Sequence, residues 1–179
     1  MSLSRADGRL ADQAGRSVSP ADGAMTLRPA CDDDPDRTFL YALFVETKAA
    51  DMAAMPVDAA AKDVLLRMQY RSMTATYRHE YPKARWEVVE LAGEPVGRLI
   101  TDVDDRRVLY VDIAFSPRAQ GRGLATRLMR RALEEPQRLG LPARVNVLAQ
   151  NSASLKLCER IGFVKVGDEP PFVRLEWRA

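Results

Sequence analysis

The spacing of apolar residues predicts two helices, then three strands, and then helices and strands in alternation. A short strand at 26–29 is followed by acidic and proline residues at 33–35 that favour the start of a first helix. The second helix should begin after Asp58 and end at Tyr81 and Pro82. The apolar residues of these helices recur with a helical period, and they are Phe39, Leu40, Leu43, Phe44 and Thr47 in the first and Leu65, Met68, Met73 and Tyr77 in the second.

Three strands are predicted next, at 85–91, 95–103 and 107–115, with turns at 92–94 and 104–105. The third strand alternates between two faces, one formed by Leu109, Val111, Ile113 and Phe115 and the other by Tyr110, Asp112 and Ala114. Connections as short as these imply that the three strands are antiparallel neighbours.

The remaining chain predicts a parallel crossover and a closing pair of strands. A helix should run from about Gly123 to 138, with Pro136 ending or kinking it, and a strand should follow at 143–148. Asn151 can cap a further helix that ends at Gly162, before strands at 163–166 and 172–177. The buried faces of the two helices should be Leu124, Leu128, Met129, Ala132 and Leu133, and Ala153, Leu157, Cys158 and Ile161. The order predicts an α/β fold in which an antiparallel meander leads into the crossover 107–115, 123–138 and 143–148.

Length and composition favour one globular domain at 25–179, since the chain has 179 residues and 46% hydrophobic content. Residues 1–24 are rich in small and polar residues and are expected to form a disordered tail. A tail that docks on a partner is the alternative, and Met25 is a candidate translation start.

Charge and residue usage narrow the function classes. A net charge of +2 gives no case for nucleic acid as the principal partner. Cys31 and Cys158 are far apart and His79 is the single histidine, which argues against a disulfide framework and against a zinc site, so no metal is expected. No apolar run approaches the roughly 18 residues of a membrane span, and the N-terminus lacks the apolar stretch of a signal peptide. We therefore expect a cytoplasmic protein that does not associate with membranes.

The segment Gln120-Gly121-Arg122-Gly123-Leu124-Ala125 lies between a predicted strand and a predicted helix. A helix N-terminus has unpaired N–H groups and partial positive charge, and glycines let the backbone approach a ligand, so this segment can hold an anion such as a pyrophosphate. Neither the P-loop pattern nor the G-x-G-x-x-G dinucleotide pattern is present. Nearby positive charge comes from Arg118, Arg122 and Arg127. The alternative is an ordinary β–α turn that uses glycines for its geometry.

Two motifs make the chain resemble the GCN5-related N-acetyltransferases, the GNAT family. Residues 111–129 resemble its motif A, whose signature Q/R-x-x-G-x-G/A falls on Gln120, Gly123 and Ala125. Residues 151–163 resemble its motif B, N-x-x-A/S-x-x-L-Y-x-x-x-G-F, except that Cys158 stands at the tyrosine position. The resemblance covers about 26–177 and implies a GNAT-type acyl-CoA N-acyltransferase fold, a central mixed twisted sheet of six to seven strands with about four helices.

The resemblance also implies a binding site for acetyl-CoA as co-substrate, in a V between strands 107–115 and 143–148, with a bulge near the end of the first strand. Backbone groups of 113–115 would pair with the pantetheine arm, loop amides would hold the pyrophosphate, and the second motif would flank the reactive end. The implied cofactor-binding residues are Ile113, Ala114, Phe115, Gln120, Gly121, Arg122, Gly123, Leu124, Ala125, Thr126, Asn151, Ser154 and Leu157. Asn151 can also be a plain helix cap.

Two residues are candidates for catalysis, Asp112 and Cys158. In many family members the motif B tyrosine protonates the departing CoA sulfur, and a thiol at position 158 is also mostly protonated at neutral pH. Cys158 could donate that proton or simply fill apolar space, in which case another tyrosine, a water or no residue acts as the acid. Asp112 interrupts the apolar pattern of its strand and could be the general base or a structural hydrogen-bond acceptor.

The resemblance predicts transfer of an acetyl group to a primary amine of a small molecule or peptide, by direct attack in a ternary complex. Residues 77–81 could edge the acceptor pocket, and His79 within them suits a base but also suits a solvated surface. Trp86 and Trp177 are expected in the core. The alternatives are a noncatalytic CoA-binding or sensory module of the same fold and an interaction domain without CoA. The acceptor is not specified by the sequence, and a homodimer is possible.

Overall fold

The computed structural model describes residues 23–179 as a sheet with helices packed on both of its faces. The strands are β1 (Met25–Pro29), β2 (Arg85–Leu91), β3 (Glu94–Val103), β4 (Val108–Phe115), β5 (Ala143–Leu148), β6 (Val164–Glu169) and β7 (Phe172–Trp177). The helices are α1 (Asp34–Thr47), α2 (Ala49–Ala53), α3 (Ala59–Glu80), α4 (Leu124–Ala132), α5 (Glu134–Leu139) and α6 (Ser152–Ile161). The predicted tail falls on residues 1–22, outside the described residues, and on the short lead into β1.

The predicted antiparallel meander and parallel crossover are confirmed. The seven strands lie in the order β1-β2-β3-β4-β5-β7-β6. Strands β1 to β4 form an antiparallel meander, β4 and β5 are parallel, and β7 lies antiparallel between β5 and β6. The single parallel contact is bridged by α4 and α5, as a crossover connection requires.

Local sequence signals set the ends of the helices. The side chain of Asp58 accepts a hydrogen bond from the backbone N–H of Ala61 at 2.7 Å, which caps α3. Asn151 Oδ1 accepts from the backbone N–H of Ser154 at 3.1 Å and caps α6, as predicted. Gly162 ends α6 at φ +103°, in the left-handed region that glycine tolerates best. These caps confirm the predicted bounds of both helices to within a residue or two.

Several side-chain predictions were wrong, because they assumed regular helices without their tertiary partners. Helix α2 was not predicted, and its Met52 packs with Phe44 of α1 and Leu66 of α3. Leu66 is therefore buried, while the predicted Met68 is 62% exposed. The predicted helix at 123–138 divides into α4 and α5 near Leu133, three residues before Pro136 removes a backbone donor. Ala153, predicted on the buried face of α6, is exposed, and so is Thr47 of the periodic pattern in α1.

The two sheet faces are covered unequally. The main core lies between the sheet and α4 and α6, where Tyr110 and Val145 pack with Leu128 and Met129. On the other face, α1 contacts β3 and β4, and α1, α2 and α3 form a second apolar cluster. The same face of β5, β7 and β6 carries the exposed side chains Arg144, Asn146, Arg174, Val164 and Val166. Within residues 23–179, no helix has the length and apolar character needed to cross a membrane.

Candidate functional site

A cleft opens where β4 and β5 separate. The two strands pair at Val108–Ala143, Leu109–Arg144 and Tyr110–Val145, and the described residues form no pair beyond these. On its other side β4 stays paired with β3 up to Phe115, and β5 stays paired with β7 up to Leu148. The diverging halves therefore each present one unpaired backbone edge to a V-shaped cleft whose apex is the Tyr110–Val145 pair.

A β-bulge lies at the apex of this cleft, at Val111. Ile100 of β3 pairs with Asp112 and the next residue, Thr101, pairs with Tyr110, so Val111 is the extra residue. The strict alternation predicted for the strand is therefore wrong, because the bulge puts Tyr110 on the same core-facing side as Phe115. The resemblance implied a bulge near the end of this strand, and the structure has one at Val111, in the middle of β4.

The backbone of Ile113, Ala114 and Phe115 pairs with β3 on one side and borders the cleft on the other. An extended molecule that carries amide groups can add to such an edge as another strand would. Gly97 of β3 lies opposite Phe115, and a Cβ there would meet the Ala114 carbonyl oxygen at 2.6 Å. This glycine lets β3 approach the bordering strand closely and supports its position.

The glycine loop, residues 120–123, follows the C-terminal end of β4 and leads directly into α4. Gln120 Nε2 donates a hydrogen bond to the Phe115 carbonyl at 3.1 Å and ties the loop to the strand. Gly121 and Gly123 have φ of +73° and +71°, and a Cβ on either would meet nothing within 4 Å. Helix α4 begins at Leu124 with no side-chain cap, so the N–H groups of its first turn, from Leu124 to Thr126, face the open space beside the loop.

The arginines near the loop have different surroundings. Arg118 Nη2 donates to the Pro95 carbonyl at 3.0 Å, and Arg127 Nη2 donates to the Gly23 carbonyl at 2.7 Å. These two contacts hold the loop and α4 against the meander. Arg122, between the two glycines, is half-buried and makes no hydrogen bond within residues 23–179. It is the arginine whose donors are available to an anion at the helix N-terminus.

Helix α6 begins just after the C-terminal end of β5, the strand that borders the cleft opposite β4. Asn151 lies at its N-terminus, and Ser154 and Leu157 are half-buried on its first turns. The cap formed by Asn151 Oδ1 is one of the two roles considered for this residue, and it leaves the side-chain amide free to donate elsewhere. The cofactor-binding role of these three residues stays a prediction.

Cys158 lies in the main core with 5% of its surface exposed. Burial, with a smaller contribution from the charge of Glu159, raises the pKa of its thiol to about 11. The thiol is therefore protonated at neutral pH and is a poor nucleophile. Its apolar surroundings favour the interpretation of Cys158 as a filler of core space over that of a proton donor to a ligand.

Asp112 is held by an arginine that sequence reasoning missed. Its Oδ2 accepts a hydrogen bond from Arg98 Nε at 2.8 Å and forms an ion pair with Arg98 Nη2 at 2.7 Å. The Arg98 side chain is 4% exposed and that of Asp112 is 22% exposed, while Arg98 Nη1 has no partner among the described residues. A charge inside the apolar run 96–100 was the signal available in the sequence. The pair favours a structural role for Asp112, although Oδ1 takes no part in the contacts with Arg98.

Helix α3 brings aromatic residues to the same region. Burial and the nearby charge of Asp112 raise the pKa of Tyr77 to about 12, so this phenol stays protonated. Trp86 is half-buried beside Tyr77, with the ring centroids 6.3 Å apart, and Trp177 packs against the main core. The core prediction fits Trp177, whereas Trp86 is half-buried and lies outside both apolar clusters of the described residues. His79 is exposed, which favours the solvated-surface interpretation.

A groove lies on the uncovered face of β5, β7 and β6, with a volume of about 370 Å³. We call it the arginine groove, after Arg107, Arg144 and Arg174 in its lining. Leu109 and Asn146 also line it, and each is adjacent in sequence to a member of the apex pair Tyr110–Val145. The arginine groove therefore meets the apex of the cleft from the side opposite α4 and α6.

Tyr81 forms one wall of the arginine groove, at the end of α3. This is the part of the predicted segment 77–81 that reaches a pocket. Among residues 23–179, no group of three or more His, Cys, Asp or Glu side chains could hold a metal ion.

Comparisons with known proteins fit this geometry. Residues 57–163 match the model of the family described as the acetyltransferase (GNAT) family. No curated protein sequence matches the chain.

Solved structures show the same fold. The PaiA N-acetyltransferase from Thermoplasma acidophilum, in complex with coenzyme A, is similar with a TM-score of 0.66 and 12% identity over 87% of this chain and 99% of that one. A GNAT family acetyltransferase from Elizabethkingia anophelis with acetyl-CoA bound has a TM-score of 0.56 and 14% identity, over 87% of this chain and 98% of that one. RimL, a ribosomal L7/L12 alpha-N-protein acetyltransferase in complex with coenzyme A, has a TM-score of 0.59 and 16% identity, over 86% of this chain and 93% of that one. At these identities the likenesses show the fold alone.

Proposed function

The chain belongs to the acetyltransferase (GNAT) family, and on that basis we propose that it transfers an acetyl group from acetyl-CoA to a primary amine by direct attack in a ternary complex. The observation that carries the proposal is the cleft between β4 and β5. It has the unpaired edge of β4 on one wall and the uncapped N-terminus of α4 beyond the C-terminal end of that strand. Strand edge and helix terminus suit the two chemically distinct parts of coenzyme A, its amide-bearing arm and its pyrophosphate.

Each part of the donor would be held by a different element. The backbone of Ile113, Ala114 and Phe115 would pair with the pantetheine arm. The N–H groups of the loop from Gly121 to Thr126, with the Arg122 guanidinium, would hold the pyrophosphate, while Gln120 fixes the loop to β4. Asn151, Ser154 and Leu157 would border the arm from α6. The thioester would then lie near the apex of the cleft.

The chemical step requires a neutral amine at the thioester carbonyl. An N–C bond forms, the C–S bond breaks, the amine loses a proton and the CoA sulfur gains one, so the products are an amide and the free thiol. Asp112 would accept a hydrogen bond or proton from the amine through Oδ1, because Oδ2 is occupied by Arg98. Cys158 would take no part, since it is enclosed in the core. Much of the rate would come from holding the two substrates together.

Binding of the donor is tested by thermal unfolding with acetyl-CoA or CoA. Both should raise the melting temperature of the protein. Gly123→Trp should abolish the increase by filling the loop, whereas Gly140→Trp should not, because Gly140 lies beyond α5. The two glycines are matched, with φ of +71° and +67° and open space at both Cβ positions. An unshifted melting temperature of the wild type would show that the donor proposal is wrong.

A noncatalytic CoA-binding module is a second candidate, and the buried cysteine at the usual tyrosine position favours it. A thiol-release assay over amines, amino acids and peptides separates the two functions. Release of CoA with at least one amine supports the enzyme. A melting-temperature shift without release from any amine supports the module.

A further inference from the structure

The arginine groove is placed where the acceptor of the proposed reaction would have to lie. Leu109 and Asn146 border both the groove and the apex pair, so a molecule in the groove can reach the apex. Helices α4 and α6 occupy the other face of the sheet. A donor in the cleft and an acceptor in the groove would thus approach the apex from opposite faces.

Arg174 has hydrogen-bonding capacity that the protein does not use. Its ion-pair partner Glu169 lies 3.6 Å away, beyond ordinary hydrogen-bond length, and its guanidinium makes no hydrogen bond within residues 23–179. The side chain lies across Gly167 on β6, where a Cβ would come within 3.0 Å of Nη2. The missing side chain at Gly167 therefore lets the guanidinium lie directly against β6, while the Arg174 side chain stays 53% exposed to a ligand.

Arg107 and Arg144 are also incompletely satisfied. Arg107 lies 3.7 Å from Asp102 and 3.5 Å from Asp104, and its Nη1 has no partner among the described residues. Arg144 Nε donates to Glu176 Oε2 at 2.7 Å. That is its one hydrogen bond in the described part of the chain. The three arginines thus bring more donors to the groove than its carboxylates accept.

The charges of the lining point in the same direction. Three arginines and two carboxylates, those of Glu169 and Glu176, line the groove. Asp102 and Asp104 compensate Arg107 from outside the lining, so the donors that stay available belong chiefly to Arg174 and Arg144. A planar guanidinium pairs best with a carboxylate, through two parallel hydrogen bonds. A volume of about 370 Å³ suits a small molecule or the end of a peptide.

We propose that the arginine groove binds the acceptor and selects amines that carry a carboxylate, such as amino acids or acidic peptide ends. This inference rests on the proposed function. The amine of the acceptor lies at the cleft apex near Asp112, and its carboxylate lies against Arg174, with Arg144 next to it. Tyr81 and Asn146 line the part of the groove that would hold the portion of the acceptor between its amine and its carboxylate.

The test compares matched acceptors and matched variants. Each amino acid or short peptide is assayed beside its carboxamide analogue, and kcat/KM is corrected for the fraction of neutral amine at the assay pH. The variants are Arg174→Gln, which removes a groove arginine, and Arg106→Gln, which removes one positive charge from an 85% exposed side chain outside the groove. Melting temperatures with and without CoA are measured for all three proteins.

The wild type should prefer the carboxylate of each pair, and Arg174→Gln should lower kcat/KM for that member by about tenfold or more, as expected for lost hydrogen bonds between charged groups. It should lower kcat/KM for the carboxamide much less, because a neutral amide accepts weaker hydrogen bonds than a carboxylate, and it should leave the CoA-induced shift of the melting temperature unchanged. Arg106→Gln should leave kcat/KM for both members and the CoA-induced shift unchanged. If CoA shifts the melting temperature but no carboxylate acceptor is preferred, or Arg174→Gln slows both members equally, the inference is wrong and the donor site stands. If CoA produces no shift, the proposed function itself fails.

Discussion

Replacing Asp112 by Asn should destabilise the protein as well as slow acetyl transfer. The substitution keeps the shape of the side chain but removes the charge that Arg98 contacts through both Nε and Nη2. Arg98 would remain 4% exposed, with no carboxylate beside it and with Nη1 already lacking a partner in the described chain. A buried guanidinium in that state has lost its main compensation for desolvation.

The size of the loss follows from the burial of the two partners. Removing one member of a fully buried ion pair costs about 3–5 kcal/mol. The Asp112 side chain is 22% exposed, so water can partly replace the carboxylate. The free energy of unfolding should therefore fall by about 2–3 kcal/mol. The matched control is Glu135→Gln, which breaks the pair between Glu135 and the half-exposed Arg85 and should cost about 1 kcal/mol or less.

Urea unfolding at neutral pH measures the free energy of unfolding of both variants. The double variant Arg98→Met with Asp112→Asn should recover most of the loss, because no unpaired charge is left buried. Two results would refute this reasoning: an Asp112→Asn loss no larger than that of Glu135→Gln, or a double variant less stable than the single one. If Asp112→Asn abolishes thiol release while the double variant regains stability but not activity, Asp112 acts on the amine in addition to its structural role.

The remaining predictions concern the reactivity of the cysteines and the stability of the protein at low pH. Cys31 is exposed and Cys158 is buried with a pKa of about 11, so iodoacetamide should add one group to the native protein and two after unfolding, as counted by mass spectrometry. The Arg28 guanidinium holds the pKa of Asp36 below its ordinary value of 3.8, so this pair stabilises the fold fully above about pH 4 and the contribution is lost as pH falls further. Melting temperatures from pH 7 to pH 2.5 should therefore decline less steeply for Asp36→Asn, from a lower starting value; an unchanged slope would contradict the assignment.

Features that depend on neighbouring residues were predictable from the sequence. The meander of β2 to β4, the start of α3 after Asp58, the cap at Asn151 and the glycine end of α6 all follow from short-range signals. The glycine loop and its helix were also predictable, because the positive φ of Gly121 and Gly123 and the helix start are encoded within a few residues. The specific assignment to the family needed the spacing between two such segments.

Features that depend on register were not predictable. The partner of Asp112 is fixed by the bulge at Val111, which sets which residues of β3 and β4 share a face, and alternation along one strand cannot reveal it. The arginine groove combines β4, β5, β6, β7 and the end of α3, and each arginine alone resembles a solvated surface residue. The exposed Met68 shows the same limit, since the contact of α3 with α1 and α2 decides which apolar residues are buried.

The separation of β4 from β5 gives this sheet four edges in place of the usual two. The outer edges discourage further pairing: β1 ends in Pro29, and β6 is interrupted by a bulge near Val166 and carries Lys165 and Asp168. Of the two inner edges beyond the Tyr110–Val145 pair, that of β5 has no such interruption in the described structure, whereas that of β4 carries the bulge at Val111. An occupied cleft would return the sheet to two edges. Donor concentration would then govern how readily the protein is attacked by proteases or joins another chain, quite apart from any acetyl group it transfers.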